Sequence, residues 1–204
     1  MTSYTPTVKS DFEITRKDGP GINTSILELI DNSIGWGDAT DIEIAYDNDR
    51  NTLVITDNGN GFGALESLNR FFRKGTTNSN ISSSTIGKYG MGGYRACINI
   101  GEKVVINTNI NDTRYCCGTD FIDMSSNNSW KPTMDITDQP SESTEKNTTF
   151  VVTIRSAYHN AFNSSSLKKE IIRAFHHHPE KITFTINDEK FTPYELFPYN
   201  DTSH

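Results

Sequence analysis

The sequence is poor in cysteine, and the arrangement of its few cysteines argues against a disulfide-stabilised protein. Its three cysteines are Cys97, Cys116 and Cys117, an odd number that includes an adjacent pair ill suited to bridge each other. This argues against a disulfide framework and favours a reducing compartment. The ligand spacing of a zinc site is missing as well.

Long apolar runs and an excess of basic residues are also lacking. No stretch is apolar enough for a membrane span and no signal peptide is recognisable, so we expect an intracellular protein, cytoplasmic with the nucleus left open. The formal net charge of -7 and the pI of about 5.2 argue against a broad nucleic-acid-binding face. The length of 204 residues suits one compact domain with short appendages.

The chain divides into a polar start and a domain. Residues 1–21 end in Gly19-Pro20-Gly21 and are interpreted as an N-terminal arm or a short strand leading to a turn. Residues 22–204 form the domain. Its apolar residues first recur at helical spacing, from Ile22 to the vicinity of Gly35.

Strand and helix patterns alternate through the rest of the domain. Strands are predicted at 42–46, 53–57, 103–110, 113–121, 148–154 and 182–186, helices at 65–73, 91–98 and 167–175, and a polar loop at 123–146. Such a series predicts an α+β fold, a two-layer sandwich with helices on one face of a mixed, mainly antiparallel sheet.

The first run whose side chains suit catalysis or metal binding is Glu28-Leu29-Ile30-Asp31-Asn32. Glu28 and Asn32 are four residues apart and share one face of the predicted helix. Hydrolysis of a phosphoanhydride needs a positioned water and a group that accepts its proton, and a carboxylate one turn from a metal-holding amide meets both needs. Taken alone, the run is equally an ordinary helix surface.

The second run is Asp57-Asn58-Gly59-Asn60-Gly61, at the end of a predicted strand. Gly59 and Gly61 permit a tight turn and a close approach of the backbone. An ionised carboxylate accepts hydrogen bonds, so Asp57 suits the exocyclic amine of adenine and repels the carbonyl of guanine. The alternative is a simple Asp-Asn-Gly β-turn. The second glycine, followed by Phe62, argues against it.

The third run is a glycine loop before a predicted helix. Its order of glycines is neither that of a Walker P-loop nor that of a Rossmann fingerprint. Backbone N–H groups in such a loop converge on phosphate oxygens, and the helix adds its positive N-terminal end. Two interpretations of Lys88 stay open: its ammonium group contacts a phosphate, or the side chain is simply exposed to solvent. The loop consists of Gly87, Lys88, Tyr89, Gly90, Met91, Gly92 and Gly93.

The polar, low-complexity residues 75–86 lie just before this loop. Such a composition is typical of a linker, but the position favours a mobile lid over about residues 73–93. Lys74 borders this lid and is a further candidate for contact with phosphate.

In their order and spacing, the three runs resemble those of the GHKL superfamily of ATPases: gyrase B, the ninety-kilodalton heat-shock chaperones, histidine kinases, MutL and the MORC proteins. The local patterns are most similar to the MORC, MutL and chaperone branch. The resemblance spans most of residues 22–155 and implies the Bergerat-type ATP-binding fold, with ATP and Mg²⁺ as its ligands.

The resemblance also implies roles for single residues. Glu28 would be the general base and Asn32 would bind Mg²⁺ through its side-chain oxygen. Thr148 would close the adenine pocket, although Asn147 stands where relatives have glycine. Relatives also carry Asp-Ala where this chain has Gly35-Trp36, and Asp38 is a candidate substitute for that aspartate.

The implied function is Mg-dependent ATP hydrolysis in which lid closure on ATP is coupled to dimerisation or to engagement of a partner. An ATP-dependent homodimer or a partner domain would supply a Lys or Arg, so turnover in isolation should be slow. The alternatives are a phosphotransfer domain like that of histidine kinases, or a nucleotide-binding module with little turnover. Glu28 favours hydrolysis, because histidine kinases usually carry Asn at that position.

Overall fold

The computed structural model describes residues 8–71, 92–110, 113–127, 139–140, 147–178 and 181–196. The helices in these ranges are α1 Val8–Lys17, α2 Ile22–Gly35, α3 Leu65–Phe71, α4 Gly92–Ile100, α5 Phe121–Ser126 and α6 Ser164–Phe175. The strands are β1 Asp41–Asp47, β2 Thr52–Asp57, β3 Gly101–Ile110, β4 Thr113–Asp120, β5 Gln139–Pro140, β6 Thr148–Ile154, β7 Thr183–Ile186 and β8 Glu189–Phe191. Short 3₁₀ turns follow at Ser156–Tyr158 and Pro193–Leu196.

The strands form one mixed sheet with the order β5-β4-β3-β6-β2-β1-β7-β8. Only the β1–β7 pair is parallel among the described strands. Burial alternates along the central strands β2 and β6, so one face of the sheet is covered and the other is partly open. The predicted α+β sandwich with a mainly antiparallel mixed sheet is confirmed.

Helix α2 is the main helix of the covered face. Ile26, Leu29 and Ile30 are fully buried because their helical spacing turns them towards the core. Burial of each such side chain contributes about 1.5–3 kcal/mol before the entropy of ordering is subtracted. The helix packs against α4 and α6, which hold it rigidly over the sheet.

The register of the sheet brings three polar residues into one row. Asp57 at the end of β2 lies opposite Thr148 at the start of β6, and Thr148 lies opposite Thr108 of β3. The row is buried. It forms the floor beneath the turn that follows Asp57.

Four stretches differ from the sequence prediction. Strand β5 lies within the predicted polar loop 123–146, strand β8 follows the last predicted strand, and two further stretches form helices. Residues 8–17, expected as an arm or short strand, form helix α1, whose Phe12 is 2% exposed and contacts the ring of Phe121. Residues 121–126, placed mostly in a polar loop, form α5, because the carboxylate of Asp120 caps the N–H groups of Ile122 and Asp123. Helix α5 has only six residues, too few to show a periodic pattern.

Within the described ranges, no helix combines the length and apolar character that crossing a membrane would require.

Candidate functional site

Glu28 and Asn32 lie one turn apart on α2. The amide nitrogen of Asn32 donates a 2.6 Å hydrogen bond to the main-chain carbonyl of Glu28. This bond orients the side chain and leaves Oδ1 as the atom able to coordinate a cation. Desolvation raises the pKa of Glu28, and the neighbouring Asp31 carboxylate adds to the rise. The higher pKa makes Glu28 a stronger proton acceptor.

The first two residues of α4 pack directly against this face of α2. A Cβ on Gly92 would collide with the Glu28 carboxylate oxygen Oε2. A Cβ on Gly93 would lie 2.8 Å from Asn32 Nδ2 and 2.7 Å from the ring of Phe71. Glycine is therefore required for the close approach, and the N-terminus of α4 meets the two polar residues of α2.

Asp57 is a buried carboxylate held by three donors. It is 4% exposed. Ser33 Oγ donates to Oδ2 at 2.7 Å, the N–H of Gly59 donates to Oδ1 at 3.0 Å, and a backbone hydrogen bond comes from Thr148. Burial raises the pKa of Asp57, although these hydrogen bonds oppose the rise. Among the described residues no Lys or Arg forms an ion pair with it.

The turn after Asp57 is fastened to the connection between α2 and β1. Asn58 Oδ1 accepts from the N–H groups of Thr40 and Asp41, both at 2.9 Å. The Asn60 side chain donates to Asp38 Oδ2 at 3.1 Å. Asp38 thus lies beside the turn.

Gly59 and Gly61 are needed in this turn for different reasons. A Cβ on Gly59 would collide with the carbonyl oxygen of Gly37. Gly61 has φ +67°, and its Cβ would lie 2.7 Å from Thr108 Oγ1. The backbone therefore lies close to β3 and β6.

Thr148 completes the floor of the site. Its side chain is 3% exposed and its Oγ1 is 3.2 Å from Thr108 Oγ1. The main-chain carbonyl of Asn147 accepts from the N–H of Asn109 at 3.3 Å. Asparagine is thus accommodated at this position without loss of the strand register.

Residues 21–153 match the model of the family described as histidine kinase-, DNA gyrase B- and HSP90-like ATPases. The chain belongs to this family. No curated protein matches it in sequence.

Solved structures agree with this GHKL assignment. Two crystal structures of the ATPase region of Saccharomyces cerevisiae topoisomerase II superpose with TM-scores of 0.63, for the one bound to ICRF-187 (dexrazoxane), and 0.61. Each is 12% identical to this chain, and the matches cover 83% and 87% of it and 48% of the topoisomerase chains. The likeness shows the fold, and this chain spans about half the length of those ATPase regions.

Some GHKL site candidates cannot be located. Lys74, Gly87, Lys88, Tyr89, Gly90 and Met91, with most of the predicted lid, lie outside the described residues. The described candidates are brought together as two neighbouring groups, joined through Ser33. Glu28 and Asn32 meet Gly92 and Gly93 in one group, and the other consists of Asp57, Gly59, Gly61 and Thr148.

Sequence reasoning missed Ser33, which joins these groups. It follows Asn32 on α2 and contacts Asp57. A signal was present, because Ser33 lies four residues after Leu29 on the apolar stripe of the helix, where a polar side chain needs a partner. Thr108 was missed for a different reason, since only the sheet register places it beside Thr148.

Proposed function

We propose that this chain binds an adenine nucleotide with Mg²⁺ and hydrolyses ATP. The observation that carries the proposal is the buried Asp57 carboxylate, held by Ser33 and Gly59 without a cationic partner among the described residues. A buried anion without a counter-charge is costly unless donors satisfy it. An exocyclic amine of adenine is a donor of the right kind for its remaining acceptor capacity.

The residues around Glu28 fit the phosphate end of the nucleotide. Gly92 and Gly93 let the N-terminus of α4 lie directly against Glu28 and Asn32, and this N-terminus favours negative charge nearby. Asn32 offers an amide oxygen, which is a suitable ligand for Mg²⁺ together with phosphates and water. No cluster of three or more His, Cys, Asp or Glu residues suited to a metal occurs in the described part of the chain, so phosphate oxygens would complete the coordination. Bound Mg²⁺ would neutralise charge that develops on the phosphates.

Glu28 is the residue to which we assign proton transfer. Its carboxylate lies against the first residue of α4, close to where a terminal phosphate would be received, and its raised pKa suits a general base. The water it activates would attack the terminal phosphorus and pass its proton to a Glu28 carboxylate oxygen. The bond from that phosphorus to the oxygen bridging it to the next phosphate would break, so that ADP leaves with this oxygen. Orientation of that water is the main contribution expected of the protein.

We further propose that closure of the lid, about residues 73–93, on ATP is coupled to dimerisation or to engagement of a partner. Lys74, Lys88 and the neighbouring backbone N–H groups would then contact the phosphates. A Lys or Arg from the partner or from a following domain would complete the site, which makes turnover slow without it. The match covers about half of each topoisomerase II ATPase region, and this supports the proposal of a further segment.

The deciding experiment compares wild type with Glu28→Ala. We expect wild type to hydrolyse ATP, and the variant to lose about 10²–10⁴-fold in kcat while the Kd for ADP changes less than about threefold. Glu43→Ala, an exposed glutamate of β1, is the matched control and should behave as wild type.

Three outcomes separate the candidate functions. Equal turnover in both proteins would remove Glu28 from the role of base. Nucleotide binding without turnover in wild type, tested also with full-length protein or partner, would favour a binding module. Transfer of radiolabelled phosphate to a histidine of a partner protein would favour the phosphotransfer function.

A further inference from the structure

A buried amide joins α4 to two other segments of the chain. Asn99 is 0% exposed. Its Nδ2 donates to the main-chain carbonyl of Pro20 and, at 3.0 Å, to Ser25 Oγ, which is itself fully buried. The hydroxyl of Tyr158 lies 3.4 Å from Asn99 Oδ1 and 3.3 Å from the carbonyl oxygen of Pro20, and its one hydrogen can be donated to either acceptor. The amide therefore has partners for both its nitrogen and its oxygen.

This network lies at the far end of the helix pair that forms the phosphate side of the site. Asn99 follows Gly92 by about two turns of α4, and Ser25 precedes Glu28 by about one turn of α2. Ser25 meets Asn99 at one end of the pair, while Glu28 meets Gly92 at the other. The order of these contacts therefore runs in opposite directions along the two helices, over about one turn of α2 and about two turns of α4.

The connection between α1 and α2 is built around the same amide. A Cβ on Gly19 would collide with Asn99 Oδ1, so only glycine lets the chain pass this close. Pro20 follows with its carbonyl on Asn99 Nδ2. The turn that joins α1 to α2 is therefore packed against, and hydrogen-bonded to, one side chain of α4.

The free energy of folding alone gives little reason for a buried hydrogen-bond network around Asn99. A buried polar network is at best about as stabilising as well-packed apolar side chains of the same shape, and a partly satisfied one is worse. What directional hydrogen bonds add is a unique register, whereas apolar contacts tolerate sliding between alternative packings. Register matters here, because a shift of α4 along α2 moves Gly92 away from Glu28.

We propose that Asn99 and Ser25 are positioning residues: they fix the register of α4 on α2 and so set the place of the Glu28 carboxylate at the phosphate end of the site. The inference rests on the proposed function. It concerns hydrolysis more than nucleotide affinity, because Asp57 lies on β2 and keeps its hydrogen bonds from Ser33 and Gly59 when α4 shifts along α2.

The test uses Asn99→Leu, the milder Ser25→Ala and their combination, in the full chain. We expect each single variant to lose about 10-fold or more in kcat, since displacements on the order of 1 Å cost up to about 10²-fold, with a Kd for ADP within about twofold of wild type. The double variant should lose little more than Asn99→Leu alone, because both changes break one interaction. The amide resonances of Gly92 and Gly93 should shift in every variant.

The matched control is Thr119→Val. Thr119 is 2% exposed and contacts Met124 Sδ from β4, so its loss lowers stability without touching α2 or α4. A merely structural role for Asn99 predicts the same behaviour as this control: a lower Tm, unchanged kcat per folded molecule and unmoved Gly92 and Gly93 resonances. That result in Ser25→Ala and Asn99→Leu would overturn the proposal.

Failure of the proposed function gives a different pattern. If wild type neither binds nor hydrolyses ATP, the catalytic assignment falls. The resonances of Gly92 and Gly93 still decide whether Asn99 and Ser25 set the register, because they need no nucleotide. Resonances that stay in place in Ser25→Ala and Asn99→Leu would then reject the inference as well.

Discussion

The hydroxyl of Ser33 donates a 2.7 Å hydrogen bond to the carboxylate of Asp57. Through this contact, the helix that carries Glu28 and Asn32 is joined to the strand end proposed to recognise adenine. A displacement of α2 would therefore disturb both ends of the site. The bond also helps to keep an ionised carboxylate in a place that is 4% exposed.

Asp57→Asn should weaken the binding of adenine nucleotides. The substitution replaces one acceptor oxygen with an NH₂ group, which would face the donor amine of adenine. Hydrogen bonds to charged groups contribute about 1.5–3 kcal/mol, so we expect the Kd for ADP to rise about 10–100-fold by isothermal titration calorimetry. The preference for ADP over GDP should shrink at the same time. An unchanged Kd would mean that the base binds elsewhere, and Asp49→Asn, on an exposed turn, serves as the control.

The same substitution should change the pH dependence of the stability of the nucleotide-free protein. Burial raises the pKa of Asp57 above its unfolded value, so its contribution to stability is present below the unfolded pKa and is lost as pH rises through the folded pKa. Asparagine does not titrate. The Tm of Asp57→Asn relative to wild type should therefore increase with pH above about 4, the ordinary pKa of aspartate.

Thermal unfolding at pH 4 and at pH 7.5 without nucleotide measures this difference. Asp49→Asn is again the control, because its carboxylate is exposed. A Tm difference for Asp57→Asn that stays constant over this range, or that falls with rising pH, would contradict the prediction.

Gly92→Ala should impair hydrolysis while leaving the fold intact. The added Cβ would meet the Glu28 carboxylate, the far end of a flexible side chain, which can move away at little cost. Because a misplaced base is inefficient, we expect kcat to fall about 10–100-fold with nearly unchanged Tm. Gly35→Ala is the matched control, since its Cβ meets nothing within 4 Å. Similar kcat values for the two variants would show that the position of Glu28 against α4 is unimportant.

Much of the sheet was predictable because its strands carry strong local patterns. Alternating apolar residues at Ile42, Ile44 and Tyr46 mark β1, and its observed bounds differ from the prediction by about one residue at each end. The glycines of the site were predictable for a related reason. Tight turns and close approaches favour glycine, so residues such as Gly59 and Gly61 stand out in the sequence.

What the sequence did not reveal depends on contacts between distant residues. Helix α1 was not predicted, because it is stabilised by packing of Phe12 on Phe121 and by hydrogen bonds from Arg16 to the carbonyls of Ile98 and Gly101. The partnership of Ser33 with Asp57 was missed in the same way. Residues far apart in sequence meet there, and no local pattern encodes which of them will meet.

Asn32→Ala should remove the effect of Mg²⁺ on ATP binding. Asn32 Nδ2 is committed to the carbonyl of Glu28, so Oδ1 is the atom proposed to hold the ion, and alanine has no replacement for it. Loss of a metal-site side chain costs about tenfold or more in metal affinity. We expect Mg²⁺ to tighten ATP binding to wild type, and this tightening to disappear in the variant.

Unfolding of α2 would not explain such a loss, because alanine has a higher helix propensity than asparagine. Titrations of ATP in the presence of Mg²⁺ and in the presence of EDTA measure the difference directly, and the two proteins should agree within about twofold in EDTA. Asn127→Ala, the same change at the exposed end of α5, should respond to Mg²⁺ as wild type does. If Asn32→Ala also responds fully, the cation is held by other groups and Asn32 only orients the main chain of α2.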